Sequence, residues 1–160
     1  MHEVVLLLGS NIEPVKYIKE AYDLLKKRVT LIKVSSVWQS DAVGSDGPPF
    51  LNVALLVATH LDQSTLVDEI LHPIEQQLKR VRTEDKNAPR TIDIDIIIWD
   101  KKLIDQKLFT YAHLAVPTSE VIPHFVSPFN QSLKEVAKKL MKSTIIEQRE
   151  DLLLLPFWIC

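Results

Sequence analysis

Residues 90–99 read RTIDIDIIIW, with isoleucine at 92, 94, 96 and 98 and aspartate at 93 and 95. A period of two suits a strand; on a helix the same residues would scatter around the cylinder. The alternation predicts a strand over 90–99. Ile92, Ile94, Ile96 and Ile98 share the face that packs on helices, and Thr91, Asp93, Asp95 and Ile97 share the other. By strand rise the two carboxylates lie about 7 Å apart at Cα. Like charges this close repel unless a cation lies between them. Mg²⁺ fits that place, because it takes hard oxygen ligands and combines one or two carboxylates with phosphates and water. The alternative is an ordinary solvated strand face whose aspartates meet lysines.

The rest of the chain alternates in a way that frames this strand. Residues 3–8 form an apolar strand ended by Gly9-Ser10-Asn11. A helix follows from Pro14, which suits a first turn, with Val15, Ile18, Tyr22 and Leu25 at helical spacing. Residues 31–39 and 51–59 read as strands, joined by a loop rich in Gly, Pro, Ser and Asp. A second helix is expected from Gln63 to Arg82, kinked at Pro73. A polar loop, 83–88, leads into the aspartate strand. Residues 102–108 suggest a hairpin, and 132–142 a helix by period. The order β-α-β-β-α-β is a split βαβ arrangement. It predicts an α+β, ferredoxin-like antiparallel sheet with its helices on one face and C-terminal helix and strand additions. The other face is left for a site or for those additions. With 160 residues and no internal repeat, a single domain over 1–160 is expected.

Composition narrows the chemistry. A net charge of -2 gives no reason to expect a nucleic-acid partner. Gly9, Gly44 and Gly47 are the three glycines, and they cannot write G-x-G-x-x-G or G-x-x-x-x-G-K-[ST]. Any nucleotide must therefore be held through metal and side-chain cations. The one cysteine, Cys160, cannot form an intrachain disulfide, which is compatible with a reducing compartment. The start lacks the basic segment of a signal peptide, and no apolar run approaches the roughly 18 residues of a membrane span. A cytoplasmic chain with no membrane partner is expected. The apolar end, 151–160, reads as a last strand or docked tail, with a partner-binding tail as the alternative.

Positive charge gathers near the aspartates. Arg90 begins the same strand. Glu75, Lys79 and Arg82, at i, i+4 and i+7, fall on one face of the second helix, with Arg80 beside them. A carboxylate pair facing guanidiniums suits a polyphosphate carrying metal. Taken alone, the cations could be a helix end answering its own dipole.

At this point the motifs GSN (9–11), FLN (50–52), IEQQLKRVR (74–82) and PRTIDID (89–95) resemble the 6-hydroxymethyl-7,8-dihydropterin pyrophosphokinase family, over roughly residues 1 to 130. The resemblance implies transfer of pyrophosphate from ATP to a pterin hydroxymethyl group in folate synthesis, with two Mg²⁺ ions. It implies that Asp93 and Asp95 bind metal, and that they act in catalysis with Arg80 and Arg90. By the same likeness Glu75, Arg80, Arg82 and Arg90 contact ATP, and Ser40, Val43, Phe50 and Asn52 contact the pterin. Phe50 stands where the family usually stacks a tyrosine. The chemistry agrees: an aromatic face stacks on a flat heterocycle, and an amide offers a donor and an acceptor in one plane. The alternative for Phe50 and Asn52 is a core aromatic and a turn asparagine. The partners implied are ATP and the pterin, with the chain a monomer or weak homodimer.

The pattern also departs from the family. Val116-Pro117 is followed by Thr118-Ser119 where a histidine and then proline or tyrosine are usual. A family arginine aligns near Ile122, and a second stacking phenylalanine near His124 or Phe125. Asn87-Ala88 replace a tryptophan-glycine pair. These changes are expected on the ATP side, where a missing cation weakens charge stabilisation. His113 and His124 are candidate substitutes, with ordinary structural histidines as the alternative. Two rivals follow: a descendant that binds pterin or nucleotide without catalysis, and an unrelated interaction domain with a chance D-x-D.

Overall fold

A computed structural model of the chain describes residues 1–43, 47–85 and 88–152. Its centre is β1 (His2–Ser10), paired antiparallel with β4 (Phe50–Thr59) on one side and β5 (Asp93–Trp99) on the other. The sheet continues outward through β3 (Trp38–Ser40) and β7 (Ile146–Gln148) beyond β4, and through β6 (Lys102–Leu103) beyond β5. A further strand, β2 (Thr30–Val34), also pairs with β4. The single strand expected over 31–39 is therefore two. Ser35 separates them: its amide donates to the Ala54 carbonyl at 2.9 Å and its hydroxyl accepts from the Ala54 amide at 2.8 Å.

One face of the sheet carries α1 (Pro14–Lys26) and the segment after β4. Tyr17, Ile18, Ala21, Tyr22 and Leu25 of α1 pack on Val4, Leu6, Leu8, Val53 and Leu55. The second helix is not continuous. Asp62 caps α2 (Gln63–Leu66) by accepting from the Thr65 amide at 2.8 Å. A π-helical turn, Val67–Leu71, then precedes α3 (His72–Gln77). Pro73 has no amide hydrogen to offer the preceding turn, and the widened turn accommodates that loss. Leu66, Ile70, Leu71, Ile74 and Leu78 still form the buried stripe. The helix stops at Gln77 rather than Arg82. Lys79 adopts the left-handed conformation at φ 68°, and the Arg80 amide closes onto the Glu75 carbonyl at 2.9 Å. Glu75, Lys79 and Arg82 thus share no helical face, and Val81 is 74% exposed.

The opposite face is covered by C-terminal elements. Here a 3₁₀ turn, Gln106–Phe109, precedes α4 (Ala112–Val121), and α5 (Leu133–Ser143) follows, N-capped by Ser132. Leu108, Leu114, Ala115, Val121 and Leu133 pack on Val5, Leu7 and Ala54. The hairpin expected over 102–108 is confined to Lys102–Leu103, entered through left-handed Asp100 and Lys101. α4 has no counterpart in the sequence reading. Ala112, Leu114, Ala115, Val116, Pro117, Thr118 and Val121 are all buried, so it lacks the polar stripe that marks a surface helix.

The isoleucine strand departs from simple alternation at one point. Leu6 pairs with Ile96 and Val5 with Ile98, leaving Ile97 as an extra residue. Ile92, Ile94 and Ile96 face α1 and α3 as expected, but Ile98 joins Ile97 in the cluster on the opposite side. Arg90 lies ahead of this strand, which starts at Asp93. The tail over 153–160 and residues 44–46, 86 and 87 of the two expected loops lie outside the described residues. No helix among the described residues is long and apolar enough to cross a membrane.

Candidate active site

Sheet register assembles the site. Gly9 of β1 stands between Asn52 on β4 and Asp93 on β5; two residues along, Leu7 stands between Ala54 and Asp95. Residues in register share a face, so Asn52, Asp93 and Asp95 project to the side that α4 covers further along. α4 packs over Leu7 and Ala54 but leaves the Gly9 end open. The result is a cleft of about 370 Å³.

One wall is aromatic and amide. Ser40, Val43, Phe50 and Asn52 all line it. Asn52 is 2% exposed, and its Nδ2 donates to the Ser40 hydroxyl at 2.9 Å and the Trp38 carbonyl at 3.2 Å, which fixes the plane of its amide. Trp38 is itself held by Glu120 through its indole N–H.

The floor is acidic. Asp93 receives Arg80 at 3.2 Å and Arg90 at 3.1 Å. Arg80 also donates to the Ile92 carbonyl at 3.0 Å, and the Arg90 guanidinium lies 5.9 Å from the Phe50 ring centroid. Asp95 makes no ion pair among the described residues. Its side chain is exposed within the cleft. Partial desolvation by the neighbouring protein first, and then the Asp93 charge beside it, push its pKa up to about 7.

Asn11, absent from the residues assigned a role by sequence, ties the site together. It accepts from the Arg90 amide at 2.8 Å through its side chain, donates its own amide to the Arg90 carbonyl at 3.1 Å, and reaches the Pro48 carbonyl at 3.2 Å.

Glu75, Arg80 and Arg82 do not line the cleft. Glu75 is 3% exposed on α3, where burial raises its pKa. Its carboxylate accepts from the Ile94 amide at 2.9 Å, between the two aspartates in sequence, and from Arg82 at 2.9 Å. Arg82 reaches it because the chain doubles back after Gln77.

A further wall is built from residues that periodicity did not reveal: Asp105, Lys107, Tyr111 and His113. Their positions follow from the 3₁₀ turn and α4. Burial, then the Lys107 charge, lower the His113 pKa to about 4, so its ring is neutral near pH 7. The departures from the family pattern at 118–125 lie elsewhere. Thr118 is wholly buried in α4, Ser119 donates to the Val116 carbonyl at 2.7 Å, Ile122 packs in the core and Phe125 stacks on Phe109. None of them is among the described residues lining the cleft, and neither is His124.

The donor set fits a hard divalent cation. Among the described residues no group of three or more His, Cys, Asp or Glu forms a metal cage. Two carboxylates facing one cleft instead suit Mg²⁺ that completes its shell with phosphate and water.

The sequence model of one family, described as 7,8-dihydro-6-hydroxymethylpterin-pyrophosphokinase (HPPK), matches residues 5–126. The chain belongs to that family. Among HPPK relatives, an enzyme of Aquifex aeolicus named 2-amino-4-hydroxy-6-hydroxymethyldihydropteridine pyrophosphokinase is 32% identical over 98% of this chain and 96% of its own length. The Bacillus subtilis protein of the same name is 37% identical over 68% of this chain and 66% of its own. Solved HPPK-DHPS chains share the fold: one in complex with substrates has a TM-score of 0.71 at 12% identity, covering 89% of this chain, and the wild-type Plasmodium falciparum chain has 0.70 at 11%, covering 88%. This chain spans 46% and 45% of those two chains.

Proposed function

We propose that this chain transfers the pyrophosphoryl group of ATP to 6-hydroxymethyl-7,8-dihydropterin, releasing AMP and serving folate synthesis. The observation that carries the reading is that Asp93 and Asp95 open into the same cleft as Phe50 and Asn52. A flat heterocycle seated on that wall presents its substituent to the carboxylates. Phe50 supplies the stacking face. Asn52, held in one plane by Ser40 and Trp38, reads the ring edge. Val43 closes the outer side.

Asp93 and Asp95 would hold two Mg²⁺ ions, which would offset phosphate charge and acidify the attacking hydroxyl. For Asp93 to ligate metal, Arg80 and Arg90 would exchange it for phosphate oxygens, so the two guanidiniums paired with Asp93 would steady the triphosphate. Arg82, 60% exposed at its side chain, would leave Glu75 for the nucleotide. Glu75 acts from behind, holding the strand between the two aspartates. The reaction needs no covalent enzyme intermediate; positioning and charge suffice.

The same reading takes residues 1–160 as one ferredoxin-like domain with C-terminal helix and strand additions, cytoplasmic, and monomeric or weakly dimeric. The test is AMP release from ATP with Mg²⁺ and the hydroxymethyl pterin. Stoichiometric AMP and pterin pyrophosphate are expected. Pterin binding with no turnover would overturn the enzymatic reading.

A further inference from the structure

The cations around the carboxylate floor are mostly spoken for. Arg80 and Arg90 pair with Asp93, and Arg82 pairs with Glu75. Lys107 differs: it lines the cleft and makes no ion pair among the described residues. Its backbone is well fixed. The Asp105 side chain accepts from the Lys107 amide at 3.0 Å, the Lys107 carbonyl accepts from Thr110 at 3.0 Å and Tyr111 at 3.1 Å, and the neighbouring Leu108 is wholly buried. The wall it stands on is close to the chemistry. The charge of Asp105 acts on Asp95, and that of Lys107 acts on His113.

We propose that Lys107 is a phosphate-positioning residue, contacting an oxygen of the nucleotide's triphosphate from the wall formed by the 3₁₀ turn. This rests on the pyrophosphoryl-transfer reading and adds to it a cation on a different element from the arginines. A lysine there is a mobile point charge with three donors, suited to following a phosphate as it moves from one oxygen partner to another.

The experiment is calorimetric titration of wild type, Lys107→Ala and Lys107→Arg with a non-hydrolysable ATP analogue plus Mg²⁺, and separately with the hydroxymethyl pterin. Lys107→Ala is expected to raise the nucleotide Kd about tenfold, the low end for a charge-assisted hydrogen bond at an open site. Lys107→Arg should recover most of that loss. The pterin Kd and the thermal midpoint should stay at wild-type values, and the Lys107→Ala nucleotide affinity should fall less steeply with added salt. An unchanged nucleotide Kd in Lys107→Ala, with wild type binding normally, overturns this proposal alone. Equal losses for pterin and nucleotide would mean a structural role and also overturn it. Failure of wild type to bind nucleotide would sink the underlying function, and this proposal with it.

Discussion

Arg90 and Asp93 meet at 3.1 Å, three residues apart, at the point where the loop before β5 becomes strand. The same guanidinium lies over Phe50, so one side chain touches both the acidic floor and the aromatic wall. Arg90→Ala is expected to weaken Mg²⁺-dependent nucleotide binding at least tenfold, from loss of a charge-assisted contact. Titration with a non-hydrolysable ATP analogue measures this; wild-type affinity would show that Arg90 serves only Asp93.

Asp95→Asn should abolish turnover while leaving the ligand-free protein at least as stable as wild type. The pH dependence has a definite sign. The folded-state pKa, about 7, lies above the ordinary value of 3.8. Between those two values the folded chain therefore binds the extra proton, and this group's contribution to stability falls as pH rises. Melting curves of both proteins from pH 4 to pH 8, without divalent ions, should diverge in favour of the variant up to about pH 7 and run parallel above. A constant gap would mean Asp95 titrates as an ordinary carboxylate.

His113 should remain neutral in mildly acidic solution. Its pKa is lowered to about 4 from 6.5, so protonation opposes folding and the contribution is lost as pH drops through that interval. An NMR titration of the imidazole should show no midpoint near 6.5; finding one there would place the ring in bulk solvent.

Glu75→Gln and Glu75→Leu separate two duties of one side chain. The amide can still accept from Ile94, so Glu75→Gln should cost less than about 1 kcal/mol, mostly the half-exposed Arg82 pair. Leucine leaves a buried amide hydrogen without a partner, at about 1–3 kcal/mol. Chemical denaturation distinguishes them, and equal losses would show that the Arg82 pair dominates.

Phe50→Ala should raise the Kd for the hydroxymethyl pterin several-fold more than that for nucleotide, since stacking is lost on one wall only. Equal shifts would place the heterocycle elsewhere in the cleft.

What could be read from the chain follows the physics of each segment. The D-x-D strand was legible because alternation directly reports which face a residue occupies, and Asp93 and Asp95 do open into one cleft. The aromatic–amide wall was legible only through the family motifs; Phe50 and Asn52 have no periodic signal of their own. Glu75, Lys79 and Arg82 fall at helical spacing, but periodicity cannot see a left-handed Lys79 ending the helix early. The wall bearing Lys107 has no periodic signal: it stands on a short 3₁₀ turn, and the α4 that follows is buried except at His113, Ser119 and Glu120, which leaves little 3.6-residue rhythm to detect.

The extra residue at Ile97 separates β5 into two phases. Upstream of it, side-chain facing is set by pairing with Leu6 and Leu8; downstream, by Val5 and the tight Asp100-Lys101 turn. The acidic pair is thereby insulated from its own hairpin. A residue gained or lost in the turn would be absorbed at the defect, while one gained or lost between Asp95 and Ile92 would rotate an aspartate into the oily side of the sheet.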